Sequence, residues 1–198
     1  IILFWNGIQN NAYGNFKIFE WISSGNFVAN WSINIDPLSS VMLVVVTFVS
    51  ALVHIYSIGY MSHDPHKPRF MSYLSLFTFS MLVLVVSDNF LQLFFGWEGV
   101  GLCSYLLIGF WYKKESANNA AIKAFIVNRI GDFGLAIGIF LIFFYFGTIN
   151  FQEVFNLAPQ LIKKKLVFFG FETTLITLIC LFLFIGAMGK SAQFLLHT

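Results

Sequence analysis

The sequence predicts an all-α polytopic membrane protein with about five transmembrane helices and a short extramembrane β-hairpin at its N-terminus. Of its 198 residues, 58% are hydrophobic and only 10% are charged, and the mean hydropathy is +0.79. Soluble domains carry about 25% charged residues, and no single core of this length could remove so much apolar surface from water. Several apolar runs also reach the roughly 20 residues that a helix needs to cross a bilayer core about 30 Å thick.

The first 36 residues differ from the rest of the chain. Trp31, Ile33 and Ile35 alternate with polar residues, and a Ser-Ser-Gly-Asn sequence separates this stretch from an earlier apolar one at residues 16–21. Alternation with a central turn predicts a β-hairpin. We expect this segment, residues 1–36, to lie outside the bilayer, because an open sheet edge in lipid leaves backbone groups unsatisfied.

Residues 37–198 are interpreted as the membrane segment. Asp36 and Pro37 form a helix start, with an N-cap followed by proline at the first helical position, and this run extends to residue 60. A second run covers residues 70–86 and a third covers 90–112, joined by a tight polar turn that permits an antiparallel helical hairpin. The fourth run, residues 116–146, would span roughly 46 Å, so it should tilt or extend into water.

Two further elements follow the fourth run. Asn150 and Glu153 have the spacing of a capping box, which predicts a short surface helix before the basic cluster at residues 163–165. The fifth span is predicted from about residue 171 to 193. The lysines and arginines of the loops divide evenly between the two sides, so the charges do not settle the orientation.

The composition excludes several classes of function. Eleven Lys and Arg against nine Asp and Glu give a net charge of +2, too small and scattered for a nucleic-acid binder. Two cysteines lie inside apolar runs, without the spacing of a zinc site or a disulfide framework. His63, Asp64 and His66 share a short loop with two prolines and lack a further ligand nearby, so no metal site is predicted.

Charged residues inside apolar runs are the main functional candidates, since each costs roughly 2.5 to 3.5 kcal/mol near the bilayer centre. Glu98 lies near the middle of the third span among glycines that allow close approach; the alternative is a structural ion pair. Lys190 lies near the far end of the fifth span, after Gly186 and Gly189, which we expect to loosen the helix. It either snorkels to the interface or, if desolvated, exchanges protons.

The fourth span carries three more candidates. Arg129 and Asp132 have the spacing of an intrahelical salt bridge, and the nearby Gly131, Gly134 and Gly138 indicate a close-packing face, so we expect the pair to point into the helix bundle. Lys123 is either a relay residue or a snorkelling one. His54, late in the first span, is more easily explained as a structural histidine than as a relay.

Long motifs then point to a family. The stretch YMSHDPHKPRFMSYLSLFTFSMLVLVVSDNFLQLFFGWEGVGLCSYLLIGFW, followed by VNRIGDFGLAIG and GAMGKSAQFLLHT, resembles the chain 5 family of NADH-ubiquinone oxidoreductase, respiratory complex I. The resemblance runs from about residue 21 to 198. It implies an antiporter-like, proton-translocating subunit of the membrane arm, working beside the other membrane-arm subunits in the lipid bilayer. It also implies that the chain holds no cofactor, while NADH, FMN, iron-sulfur clusters and ubiquinone are used by other subunits.

The resemblance also assigns roles. It implies that Glu98 is the essential intramembrane glutamate, that Lys190 is the lysine of a broken helix and its ion-pair partner in a half-channel, and that Arg129 and Asp132 belong to the intervening helix. It places the loop at residues 62–70 on the matrix or cytoplasmic side, in the mitochondrial inner membrane or a bacterial plasma membrane. Family members are about three times longer, so the sequence is interpreted as a fragment, to be completed by the remainder of the same chain. A large subunit of an Mrp-type cation/proton antiporter is the alternative.

Overall fold

A computed structural model describes residues 13–25, 27–168, 170–193 and 196–197, together with residues 4, 5, 7 and 9. Parts of the predicted N-terminal segment, and the turn residue Asn26, lie outside the described residues. The elements, in chain order, are β1 (Gly14–Ser24), β2 (Phe27–Ile35), α1 (Pro37–Tyr60), α2 (Lys67–Val85), α3 (Phe90–Ile108), α4 (Glu115–Phe146), α5 (Phe151–Leu161), β3 (Lys165–Phe168), β4 (Phe171–Thr174) and α6 (Leu175–Lys190). This confirms a mostly helical protein with a β-hairpin, β1 and β2, in its N-terminal part.

Within the described residues, four helices are long and apolar enough to cross a membrane: α1, α2, α3 and α4. The helix starts follow from local capping. The Asp36 side chain accepts a hydrogen bond from the Ser39 backbone N–H at 2.6 Å, and the Ser39 hydroxyl oxygen accepts one from the Asp36 N–H at 2.8 Å, which satisfies two N–H groups that the helix itself cannot. The side-chain oxygen of Asn150 caps α5 by accepting hydrogen bonds from the backbone N–H groups of Gln152 and Glu153.

The predicted fifth span begins later than expected and is shorter. Residues 171–174 form strand β4, which pairs antiparallel with β3 so that Lys165 lies opposite Thr174. Thr174 then caps α6 by accepting a hydrogen bond from the Thr177 N–H at 3.3 Å. The helix has 16 residues, a length of about 24 Å, so the boundaries predicted at residues 171 and 193 are wrong at both ends.

The chain divides into two compact units. The first contains residues 1–19, 31–88 and 92–123, which include α1, α2, most of α3 and the first residues of α4. In it, the fully buried Gln92 side chain accepts a hydrogen bond from the Ser32 N–H at 3.0 Å and donates one to the Ser32 carbonyl at 2.8 Å. The Asn34 N–H also donates to the Val86 carbonyl oxygen at 2.8 Å. These bonds fix the β2 end of the hairpin to the α2–α3 turn.

The second unit contains residues 20–30, 89–91 and 124–198. Its core is a cluster of buried aliphatic side chains from α4, α5 and α6: Ile142, Val154, Leu175 and Ile179. The Phe90 N–H donates to the Ile149 carbonyl oxygen at 3.0 Å. This packing holds α6 against α4, the two helices that carry Lys190 and Asp132.

Candidate functional site

The central feature of the second unit is a contact between the backbones of α4 and α6. A Cβ atom placed on Gly131 would lie 2.9 Å from the Cα of Gly189, and one placed on Gly189 would lie 3.0 Å from the Cα of Gly131. A Cβ on Gly186 would lie 2.7 Å from the Cβ of Leu135. Only glycine fits so close a helix contact, so the predicted close-packing face on α4 is confirmed.

Gly186 and Gly189 therefore have a different role from the one predicted. Helix α6 is continuous through both residues and ends at Lys190, with Ser191 as its C-cap. The two glycines are buried against α4, and this packing compensates for the conformational freedom that glycine brings to a helix. They bring α6 close to α4 rather than loosening it.

An ion pair lies directly beside this glycine contact. The Nζ atom of Lys190 is 4.0 Å from Oδ1 of Asp132, and the side chains are 17% and 4% exposed, respectively. Each charged residue directly follows a contacting glycine, Gly131 or Gly189. Lys190 is also the last residue of α6, where the helix dipole favours a cation. The arrangement holds two oppositely charged residues, both largely buried, at one helix interface.

Arg129 does not share this environment. It is exposed, and its guanidinium carbon lies 4.8 Å from the centre of the Phe125 ring. Asp132, in contrast, is buried, so within the described residues only Asp132 faces the α4–α6 interface, and the expected role of Arg129 stays a prediction. The physical reason is the helical repeat of 3.6 residues, which places Asp132 on the glycine face of α4 and turns Arg129 toward the edge of that face.

The first unit contains Glu98 and Lys123. Glu98 is half-buried in the middle of α3. The glycines on either side of it allow α2 to approach, since a Cβ on Gly96 would lie 2.6 Å from the Leu84 backbone nitrogen and one on Gly99 would lie 2.7 Å from the Ser80 hydroxyl oxygen. Lys123 is exposed on α4. The role that the resemblance implies for Glu98, and the choice between relay and snorkelling for Lys123, stay predictions.

His54 has the hydrogen bonds expected of a structural histidine. Its Nδ1 atom is 2.8 Å from the Ser50 carbonyl oxygen, and its Nε2 atom is 3.4 Å from the Ser75 hydroxyl oxygen. The ring therefore joins α1 to α2. The described residues contain no group of three or more His, Cys, Asp or Glu side chains that could hold a metal ion.

The sequence alone does not predict the contact between Asp132 and Lys190. The spacing of residues along one helix predicts only pairs within that helix, and it therefore pairs Asp132 with Arg129. A signal was nevertheless present: both α4 and α6 carry glycines three residues apart, at 131 and 134 and at 186 and 189, with a charge beside one of them. Matching these two small-residue faces would have brought the two charges together.

Comparison with known proteins identifies the family. A sequence model described as "NADH:quinone oxidoreductase/Mrp antiporter, TM" matches residues 87–198, and one described as "NADH-Ubiquinone oxidoreductase (complex I), chain 5 N-terminus" matches residues 21–71. The chain belongs to the NADH:quinone oxidoreductase/Mrp antiporter transmembrane family. The resemblance seen in the motifs is thereby confirmed, over nearly the same range.

Two relatives within this family illustrate the similarity. The chain is 56% identical over 198 residues to a protein named NADH-quinone oxidoreductase subunit L from Rickettsia bellii, covering 100% of this chain and 31% of that protein. It is 57% identical over 192 residues to NADH-ubiquinone oxidoreductase chain 5 from Chondrus crispus, covering 97% of this chain and 29% of the relative. The chain thus spans less than a third of the length of these antiporter-family relatives.

A solved structure shows the same fold. The Mrp complex from a Dietzia species contains a chain that matches 99% of this one, with a TM-score of 0.75 and 21% sequence identity, and the match covers 20% of that chain. The fold described above is therefore also found in a chain of that Mrp complex.

Proposed function

We propose that the chain forms part of a proton-translocating, antiporter-like subunit of respiratory complex I, which couples NADH:ubiquinone electron transfer to proton pumping. The observation that carries this proposal is the buried ion pair between Asp132 and Lys190, 4.0 Å apart in a helix interface. The names of the relatives, subunit L and chain 5, support the assignment to complex I. The proposed location is the mitochondrial inner membrane or a bacterial plasma membrane, with the other membrane-arm subunits as partners.

The chemistry of the pair suits proton exchange. At 4 Å and an effective dielectric constant of 20, two unit charges attract by about 4 kcal/mol. Every 1.36 kcal/mol changes a proton affinity tenfold, so gaining or losing the charge on Asp132 changes the hold of Lys190 on its proton by up to about a thousandfold. Removing the charge on Asp132 would therefore favour release of the proton by Lys190, and restoring it would favour its retention.

In the proposed cycle, Lys190 is the group that carries the proton, and Asp132 is its fixed counter-charge. Electron transfer in other subunits would change the charge or hydration around the intramembrane carboxylates, Glu98 and Asp132, and this change would alter the electrostatic field at Lys190. The exclusion of water by the α4–α6 contact keeps that field strong. Arg129 is proposed as a further member of the path on the strength of the family resemblance, and Lys123 because a charged residue in an apolar helix is costly to keep without a role.

The test is proton pumping by the intact complex in inverted membrane vesicles. Asp132→Asn, Lys190→Met and Glu98→Gln should each lower proton pumping and the electron transfer coupled to it, with the complex still assembled. Lys163→Gln is the matched control, because Lys163 is an exposed lysine outside the apolar helices. Wild-type pumping by assembled Lys190→Met complexes would overturn the proposal.

A second candidate function is the large subunit of an Mrp-type cation/proton antiporter, which is favoured by the structural match to the Mrp complex. Native electrophoresis of gently solubilised membranes, with staining for NADH oxidation and mass spectrometry of the peptides, separates the two. Comigration of this chain with NADH oxidation supports complex I. Migration in an assembly without that activity supports the antiporter.

A further inference from the structure

A polar cavity of about 210 Å³ lies in the first unit, where α2 begins, α3 ends and α4 begins. Its walls include Arg69, three tyrosines at 73, 105 and 112, and Asn118. Since a water molecule takes about 30 Å³, the cavity has room for a group of several heavy atoms. Its tyrosines, asparagine and arginine distinguish it from an acyl-chain groove, which is lined by aliphatic side chains.

Arg69 is held in place at this cavity, and within the described residues no carboxylate contacts it directly, although its charge acts on Asp64. Its Nη2 atom donates to the Phe110 carbonyl oxygen at 3.1 Å, and its guanidinium carbon lies 4.7 Å from the centre of the Phe110 ring and 5.3 Å from that of Tyr112. Within the described part of the chain, the buried Nε atom has no hydrogen-bond acceptor, and no carboxylate forms an ion pair with Arg69. The guanidinium therefore has donors available and a positive charge without a direct counter-ion.

The surrounding charges leave this end of the helices positive. Lys113 and Lys114 follow α3, and Lys67 begins α2, with its Nζ donating to the Ile58 carbonyl oxygen at 2.9 Å. Two acidic groups lie nearby, Asp64 and Glu115. The Asp64 carboxylate already accepts hydrogen bonds from the His66 N–H at 2.8 Å and the Trp111 Nε1–H at 3.0 Å. The lysines and Arg69 outnumber these acids, so the cavity favours an anion.

The position along the helices indicates which anion. Arg69 is in the first turn of α2, Tyr112 follows the end of α3, and Asn118 is in the first turns of α4. These helix ends mark the level at which the apolar spans meet water. Trp111 and Tyr112, 41% and 53% exposed, stand at the same level, as expected of an interfacial aromatic belt. Phospholipid headgroups occupy that level of a membrane.

We propose that this cavity binds the phosphodiester group of an anionic phospholipid. The planar guanidinium of Arg69 offers paired N–H donors of the kind that bind phosphate oxygens bidentately, and the stacking on Phe110 and Tyr112 orients them in advance. The nearby Lys113 and Lys114 supply the longer-range attraction that selects anionic over zwitterionic lipids. A free phosphate ion would satisfy the same donors, so the test includes both sources.

The experiment uses the full-length protein in its native membrane assembly, isolated through a tag on this chain. The assembly is exchanged into bilayers containing phosphatidylglycerol with a photoactivatable diazirine close to the headgroup, irradiated, and analysed by peptide mapping. We expect labelling in the segment from residue 105 to 121, several times stronger than with the matching phosphatidylcholine probe. Arg69→Gln should raise the probe concentration needed for half-maximal labelling by about tenfold or more.

Controls separate binding from folding and from other anions. Arg69→Lys keeps the positive charge but not the paired N–H donors of the guanidinium, so partial labelling is expected. Lys163→Gln removes a charge outside the cavity and should leave labelling unchanged. Every variant is measured on assembled protein. Equal labelling by the two lipids, or full labelling after Arg69→Gln, would overturn the proposal. Loss of the lipid label on adding inorganic phosphate, but not on adding chloride of equal ionic strength, would identify a free anion instead.

Discussion

Asp132 and Lys190 show how a charged residue is retained in an apolar helix. Each is desolvated, and each depends on the other, because their charged atoms are 4.0 Å apart in an interface from which little side-chain surface reaches solvent. A buried pair of this kind adds little net stability compared with two apolar residues, but removing one partner leaves an uncompensated charge. The pair is therefore more informative about function than about stability.

Substitution of one partner should destabilise the protein more than substitution of both. Asp132→Asn removes the carboxylate beside Lys190, and Lys190→Gln removes the ammonium beside Asp132; removing one partner of a buried pair costs about 3 to 5 kcal/mol. The double substitution leaves two neutral groups that can hydrogen-bond. We expect it to cost clearly less than the sum, as measured by thermal unfolding of the isolated assembly. Strict additivity would show that the two charges do not interact.

Asp64 should make the stability of the loop between α1 and α2 depend on pH. Its pKa is lowered from the usual 3.8 by the hydrogen bond from the His66 backbone N–H and by the one from Trp111, with the charges of His66 and Arg69 adding to the effect. Because the folded pKa is the lower one, its contribution to stability is present above pH 3.8 and is lost as the pH falls through the folded pKa.

Hydrogen exchange of the loop peptide should therefore stay slow until the pH is below the usual range for a carboxyl group, and then rise. Asp64→Asn should remove most of this acid-dependent step while leaving exchange in α1 unchanged. An identical acid response in the wild type and in Asp64→Asn would contradict the assignment to Asp64.

At the scale of elements, the contact between α4 and α6 depends on the absence of side chains. Gly131→Ala would place a methyl group 2.9 Å from the Cα of Gly189 and 3.2 Å from the Ile185 carbonyl oxygen. Both are backbone atoms that cannot turn away, so the helices must separate and the Asp132–Lys190 distance must grow. We expect reduced thermal stability and reduced pumping.

Gly59→Ala is the matched control for this substitution. Gly59 also lies in a helix, but a Cβ there would meet nothing within 4 Å, and alanine is favoured over glycine in a helix by about 1 kcal/mol. It should be neutral or slightly stabilising. If Gly131→Ala behaved like Gly59→Ala, the close contact would not be required.

The N-terminal hairpin depends in a similar way on one buried amide. Gln92→Glu keeps the size of the side chain but replaces the group that donates to the Ser32 carbonyl, so that a carboxylate oxygen faces a carbonyl oxygen. A buried polar group left unsatisfied costs about 1 to 3 kcal/mol, and more when it is charged. We expect faster proteolysis of residues 14–35, whereas Gln160→Glu, at an exposed glutamine of α5, should leave the rate unchanged. Equal protection in both variants would argue against this anchor.

At the scale of the whole molecule, the long apolar runs and their caps were predictable, since hydrophobic length and capping chemistry are local properties of the sequence. The start of α1 at Pro37 and that of α5 after Asn150 follow directly from such signals. The β3–β4 hairpin was not predictable in this way. Its strands have four residues each, too few to establish a two-residue alternation beside the apolar run of α6, so the periodicity does not separate strand from helix.

The candidate site shows the same division. Its glycines and charges were identifiable residue by residue, because charge in an apolar run and repeated small residues are visible in the sequence. The pairing of Lys190 with Asp132 was not identifiable, because it depends on which face of α6 packs against α4, and that is a long-range property. The exposure of Arg129 could not be predicted from its spacing to Asp132 either.

The length of α4 leads to a prediction about the whole molecule in its membrane. The helix has 32 residues and is about 48 Å long, which exceeds the thickness of the hydrocarbon core, and its polar first turns indicate which end emerges. A membrane-impermeant maleimide, applied to the accessible side, should label Ser116→Cys but not Phe140→Cys, although both positions are exposed on the protein. Equal labelling would place α4 differently, and the wild type gives the background from Cys103 and Cys180.

The packing of α6 against α4 fixes the register between the two helices. Positions on α4 that lack side chains receive Ile185 and Leu183 opposite Gly134 and Gly138, so the register between the two helices is set before the chain reaches Lys190. One residue inserted between Ile185 and Lys190 would turn the lysine by about 100° and advance it by about 1.5 Å, away from Asp132. Insertions and deletions are thus excluded from this segment, whereas the turn between β3 and β4, where Gly170 has a φ of +83°, can change length without moving the charges.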